Sequence, residues 1–168
     1  MVVNHSIKIE DQINLRIERE ISKQMDSIIK KMQTIAKDFN IANADKRSPF
    51  RNVLAVAVEP GSSLEVIKNY IRYQVGRKES SPIWKLKKGD NLFAELVVNQ
   101  IDGLSNDTQE TLKRVEENIA DNKEISSYLD NENNLEKLKK ELHLKFVQLY
   151  LGYLAREHTA LVGEAKSK

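Results

Sequence analysis

The 168-residue chain has no cysteine, six glycines, three prolines and a single tryptophan. Without cysteine there is no disulfide framework, no thiol nucleophile and no thiolate-held metal, which suits a reducing, cytoplasmic setting. So few helix breakers favour long helices over a turn-rich β fold. No apolar run approaches the roughly 20 residues that span a bilayer. Met1 to Glu20 also lacks the continuous apolar stretch of a secretory signal.

Catalytic constellations are missing as well. His5, His143 and His158 are the only histidines. None stands in a Glu-x-x-His or His-Glu-x-x-His context, which removes ferritin-like and zinc-peptidase sites. His143 and His158 fall on a mixed-polarity helix and are expected at or near its surface. There is no glycine-rich phosphate loop and no Gly-x-Ser-x-Gly nucleophile elbow. The expectation is a non-enzymatic protein with no catalytic residues, no metal and no cofactor.

What the chain does have is helical periodicity. Ile13, Ile17, Ile21, Met25, Ile28, Met32, Ile35 and Phe39 recur at steps of three and four, the spacing of one apolar stripe on a helix. A helix from near Asp11 to near Asn40 would be roughly 42 Å long. Asn4 to Ile9 allows a brief extended segment, and 41–49 reads as a loop. Ser48-Pro49 opens a short helix with Phe50, Val53, Leu54 and Ala57 inward, and Glu59-Pro60-Gly61 ends it. Ser62 and Glu65 have capping-box spacing ahead of the stripe Leu64, Ile67, Ile71 and Val75, and Gly76 suits the C-terminal cap. A loop over 77–89 precedes a helix from Asp90 to Ile101 that Gly103 closes. Asp107 and Glu110 start the next, with Leu112, Val115 and Ile119 inward. A polar loop over 121–134 has room for one short helix near Ile125 and Leu129. From about Asn133 a long last helix carries Leu135, Leu138, Leu142, Phe146, Leu149, Tyr150, Tyr153 and Leu154, and 163–168 frays. The pattern predicts an all-α protein, a compact bundle of about five to seven helices in a single domain over 1–168. The two long stripes exceed what one small bundle buries and should leave apolar surface for a partner.

Charge is unevenly placed. The formal net charge is +2, yet Lys68 to Lys88 holds seven basic residues (Lys68, Arg72, Arg77, Lys78, Lys85, Lys87, Lys88) against the single acid Glu79. Ser105 to Glu141 holds six basic residues against ten acidic ones. A local positive field attracts polyanions even on a nearly neutral chain. Tyr70, Tyr73 and Trp84 are interleaved with the cations, and cations beside flat rings are what nucleic-acid binding uses. Equally, Trp84 and Tyr70 are natural core residues and the lysines a solvated loop; for Trp84 the core is the favoured place. Lys68 and Arg72 lie one helical turn apart, so their side chains point the same way. Lys46, Arg47 and Arg51 form a second, smaller basic group that extends the same surface or stands apart from it.

Tyr70-Ile71-Arg72-Tyr73-Gln74-Val75-Gly76-Arg77, followed by Trp84, resembles the helical small subunit of CRISPR–Cas effector complexes. It is nearest to the small-subunit-like C-terminal part of the type I-D large subunit, with the small helical subunits of type III effectors comparable. In size, helical content and a basic face the likeness extends over residues 48–155. The resemblance implies a non-catalytic subunit, present in more than one copy beside other effector subunits and crRNA. It would contact target DNA or RNA, or the displaced strand, through the sugar–phosphate backbone. It also implies that such a chain can be made as a separate product from inside a large-subunit gene. The modest net charge departs from the pattern, so part of the field would come from the assembly. The competing expectation is a helical scaffold or adaptor whose long terminal helices dock proteins and whose basic segment is only solvated.

Overall fold

In the computed structural model the backbone is described for residues 2–168 and the side chains for residues 8–168. The fold is all-α, with long first and last helices. Among the described residues there are seven α-helices: α1 Val2–Asp38, α2 Ile41–Ala44, α3 Phe50–Val58, α4 Leu64–Gly76, α5 Phe93–Asn118, α6 Lys123–Leu129 and α7 Glu132–Lys166. Between α4 and α5 lie a 3₁₀ turn, Pro82–Lys85, and a two-stranded hairpin of β1 Lys87–Lys88 and β2 Asn91–Leu92. Among the described residues no helix is long and apolar enough to cross a membrane.

The apolar stripes explain where these helices run, and they also correct several expected boundaries. Helix α1 starts earlier than its stripe suggests: residues 4–9 are helical, because Ile9 is buried one turn before Ile13 and continues the same face. The expected loop over 41–49 begins with the short α2, since Ile41 and Ala42 are buried. Asn40 makes the corner in the left-handed region, with φ 51°, a conformation asparagine tolerates better than most residues. The cap of α4 is Ser63 and not Ser62: the Ser63 hydroxyl accepts from the Val66 N–H at 3.3 Å.

The largest correction concerns α5, which begins at Phe93 and runs unbroken through Gly103 and the Asp107–Glu110 pair. Its buried residues Val97, Ile101, Leu104, Thr108, Leu112 and Val115 keep one face at steps of three and four. That burial outweighs the roughly 1 kcal/mol an exposed glycine costs inside a helix. The expected loop over 121–134 is mostly helix. Asn122 caps α6 by accepting from the Ile125 N–H at 3.2 Å. Asn131 starts α7 by accepting from the N–H groups of Asn133 and Asn134 at 3.0 and 3.2 Å. At the other end α7 continues to Lys166, so most of the expected frayed tail is helical, though residues 163–168 are exposed. The surplus apolar surface is not where the stripes suggested. In α7, Leu138, Leu142, Phe146, Tyr150 and Leu154 are buried, and Leu135, Leu149 and Tyr153 half-buried. Among the described residues, the exposed large apolar side chains are Leu15, Val58, Val66 and Tyr73.

The chain groups into two compact units. The first comprises Met1–Ser27 and Ser105–His143, the second Ile28–Leu104 and Leu144–Lys168. In the first unit, Ile13, Ile17, Ile21, Leu112, Val115, Ile119, Ile125 and Leu138 are buried. Its buried acid, Glu20, binds the Lys23 ammonium at 2.8 Å and the Arg114 guanidinium at 2.9 Å. Those hydrogen bonds, Lys23's first, hold its carboxyl below the usual carboxylate range against the opposing effect of burial.

The second unit is built on aromatic packing. Phe50 meets Trp84 edge-on with ring centroids 5.4 Å apart, and Phe39 meets Phe93 at 5.5 Å. Phe93 also approaches Trp84 and Phe50, each at 6.1 Å. These are the offset and edge geometries that aromatic quadrupoles favour. Tyr150 is buried here too and donates its hydroxyl to Gln100 Oε1.

Candidate nucleic-acid interface

All of the basic residues singled out from the sequence belong to the second unit. Helix α4 buries Ile67, Ile71 and Gln74 and turns Arg72 and Tyr73 outward. The helix ends at Gly76. The Arg77 N–H bonds the Tyr73 carbonyl at 3.0 Å, and Arg77 itself is extended, with φ −77° and ψ 129°. Gly76 does not adopt a positive φ, so the turn expected there falls just beyond it, from Arg77 onward. The Ser80 hydroxyl sits over the exposed helix end, within 2.5 Å of the Gln74 carbonyl and 3.0 Å of that of Arg77.

The segment from Ser81 to Leu92 is folded rather than a free loop. Ser81 accepts from the Ile83 N–H at 3.3 Å, Pro82 occupies the first position of the 3₁₀ turn, and Ile83 and Trp84 are buried. Two apolar side chains in a polar stretch are enough to order it. The hairpin pairs Lys87 with Leu92 and Lys88 with Asn91. Gly89 opens its two-residue turn at φ 62°, where hairpins of this length need glycine.

The seven cations do not form one uniform row. Lys68 is held by Glu65 at 2.6 Å and Asp102 at 3.0 Å, with its side chain only 18% exposed. These bonds, Glu65's first, raise its pKa. Its charge is already matched, so it does not share the outward role of Arg72. Lys85 donates to the Arg77 carbonyl at 2.7 Å, a cation at the negative end of α4. Lys88 stands 3.6 Å from Asp38, both largely exposed, a pairing worth little in water. Lys87 is its neighbour on a strand, and successive strand side chains point to opposite sides. Among the described residues, Arg72, Arg77, Lys78 and Lys87 are exposed and have no carboxylate within 4.0 Å.

The rings separate in the same way. Trp84 is 1% exposed and belongs to the core, so it offers no face to a base. Tyr73 is 58% exposed, tilted against Tyr70 at 6.5 Å. It stands next to Arg72 in the last turns of α4, and Arg77 follows just beyond the helix end. Of the two rings it is the tyrosine, not the tryptophan, that is exposed.

Whether Lys46, Arg47 and Arg51 extend the same surface is decided by Asp45. One carboxylate oxygen accepts from the Ser81 hydroxyl at 2.7 Å, the other from the Arg47 N–H at 2.9 Å. The Asp45 carbonyl lies 2.7 Å from His158 Nε2. A carbonyl only accepts, so Nε2 carries the proton. His158 is 1% exposed, where the surface or its margin was expected. The turn carrying Lys46 and Arg47 is thereby tied to the turn beyond Arg77 and Lys78.

Compared with protein-family models, with curated proteins and with solved structures, the chain matches none.

Charge follows the division into units. The first unit holds 10 basic and 15 acidic residues, net −5; the second holds 17 basic and 10 acidic, net +7. The two values recover the overall +2. Among the described residues no group of three histidine, aspartate or glutamate side chains is placed to hold a metal ion.

Proposed function

We propose that this chain is a non-catalytic small subunit of a cytoplasmic, crRNA-guided CRISPR–Cas effector complex, acting in antiviral defence. In it the second unit lies along the sugar–phosphate backbone of a target or displaced strand. The observation that carries this reading is the segregation of charge: a chain of net +2 holds +7 in the unit that bears the exposed Arg72, Arg77, Lys78 and Lys87. Exposed guanidinium and ammonium groups with no carboxylate beside them are suited to displacing counterions from phosphates. Contacts of this kind fix position without reading sequence. The exposed Tyr73 beside them supports a single strand over a duplex, because unpaired bases are free to stack on an aromatic ring without kinking a helix. The segment Tyr70 to Arg77, with Trp84 beyond it, supports the assignment to effector subunits through its resemblance to them.

The test is a salt titration of binding to single-stranded DNA, RNA and duplex, run on the free chain and on the complex assembled with its gene neighbours. Arg72→Ala combined with Arg77→Ala should weaken binding equally on unrelated sequences. It should also flatten the slope of log affinity against log salt by about one to two units. Unchanged affinity and slope in both settings would leave the adaptor as the better reading.

A further inference from the structure

The second basic group lines a cleft that the proposed strand contact does not use. The cleft has a volume of about 510 Å³, and its cationic walls are Lys46, Arg47, Arg51 and Lys166. No carboxylate lines it. The nearby acids are engaged elsewhere: Asp45 is bonded to Ser81 and to the Arg47 N–H, and Glu164 lines a different cleft beside Lys37 and Lys168. Four cations from two separate parts of the sequence, 46–51 and the end of α7, therefore share one opening without a counter-charge. Among the described residues none of the four side chains has a salt bridge.

The walls also supply a fixed donor. Ser48 accepts from the Phe50 N–H at 3.4 Å, which leaves its own O–H free to donate. Thr159, on the other wall, already donates to the Ala155 carbonyl at 3.1 Å. Arg51 is in the first turn of α3, a nine-residue helix whose N-cap residue, Pro49, supplies no side-chain hydrogen bond and whose Phe50 N–H is taken by Ser48. The positive end of that helix adds to the field of the cations. Among the lining residues His158 is buried and bonded to the Asp45 carbonyl, which ties α7 to the 46–51 turn.

We infer that this cleft is a binding site for a polyphosphate group, held by Lys46, Arg47, Arg51 and Lys166 with the Ser48 hydroxyl. Guanidinium forks match phosphate oxygens in pairs. The cleft, about 510 Å³, has room for a hydrated chain of phosphates. Two sources share this chemistry: consecutive phosphates of a strand, and a free or terminal di- or triphosphate.

The experiment uses the full chain at low salt with inorganic tripolyphosphate as the probe, followed by calorimetry and by backbone amide shifts. The expected result is saturable one-to-one binding, with shifts concentrated in residues 46–52 and 159–166. Arg47→Ala with Arg51→Ala should weaken it by at least about tenfold. Arg72→Ala with Arg77→Ala should leave it within about twofold, being a separate set of groups. The four substituted arginines are exposed, and far-ultraviolet circular dichroism checks that both variants keep their helix content. An oligonucleotide without terminal phosphate that shifts the same amides identifies the strand as the source. Shifts with tripolyphosphate alone identify a free or terminal polyphosphate. Non-saturable binding, shifts spread over exposed lysines everywhere, or an unaffected Arg47/Arg51 variant overturns the site. None of these outcomes depends on whether Arg72 and Arg77 hold a strand.

Discussion

In the first unit a buried carboxylate collects its cations; in the second, Arg72, Arg77, Lys46, Arg47 and Arg51 stand without a carboxylate partner among the described residues. Glu20 draws Lys23 and Arg114 to it, and Glu10 accepts from the Tyr128 hydroxyl at 2.6 Å with Lys137 at 3.7 Å. Of those cations Arg114 is the most enclosed, while Lys23 and Lys137 keep largely exposed side chains. Among the described residues, Arg72, Arg77, Lys46, Arg47 and Arg51 are part of no ion pair, and the second unit is held by its aromatic cluster instead. The difference separates two uses of the same residue types. A cation beside a buried acid contributes to folding, whereas an exposed cation with no acid near it contributes to what the surface attracts.

The strongest way to test that separation is to remove the packing of the second unit. Trp84→Ala should cost about 3–5 kcal/mol, the range for deleting a large buried aromatic, read as a shift in urea midpoint. Polyanion binding should fall with it, because the turns carrying Arg77 and Lys46 rest on that core. Near-normal stability would mean that the ring is not the support it is described to be.

A smaller effect is expected from a cation in the first unit. Arg114→Ala leaves Glu20 buried with one fewer charged donor, at a cost of about 1–3 kcal/mol, while nucleic-acid affinity stays unchanged. The pH dependence sharpens the point. Glu20's carboxyl is lowered in the folded state, so its contribution is complete above the unfolded carboxylate pKa. That contribution disappears as pH falls through the folded value. Stability measured from neutral pH down through the carboxylate range should therefore drop less steeply in Glu20→Gln than in the parent chain. Equal slopes would remove Glu20 from the account.

The smallest effect is expected where the two uses meet, at Lys68. It lies within the basic segment, yet Glu65 and Asp102 match its charge. Lys68→Ala should cost at most about 1 kcal/mol and leave the salt slope of binding unmoved. A flattened slope would return Lys68 to the interface.

The helices were legible where a stripe was long. Ile13 to Phe39 marks α1 without help from anything distant in sequence. Boundaries failed where local signals pointed one way and burial the other: Gly103 looks like a stop, but Ile101 and Leu104 on either side of it are buried, so α5 continues. Within the basic segment, composition identified the right stretch but could not sort it. Lys68 and Arg72 share a helical face, but Glu65, three residues before Lys68, is a local partner that Arg72 lacks, and Asp102, 34 residues beyond Lys68, completes the match in a way no local spacing shows. The join between the two basic groups depends on Asp45 meeting Ser81 and His158. Lys166 joins the second group only because the end of α7 meets the 46–51 turn. Contacts of that range leave no periodic trace.

The partition of charge also bears on how the protein behaves on a column. A net charge of +2 suggests weak retention on any ion exchanger, but resins respond to patches before they respond to totals. A unit of −5 and a unit of +7 in one chain give it a foothold on both anion and cation exchangers at the same neutral pH. Nucleic acid that co-purifies would mask the basic footing and leave the acidic one, so elution from the two resins reports which surface is occupied.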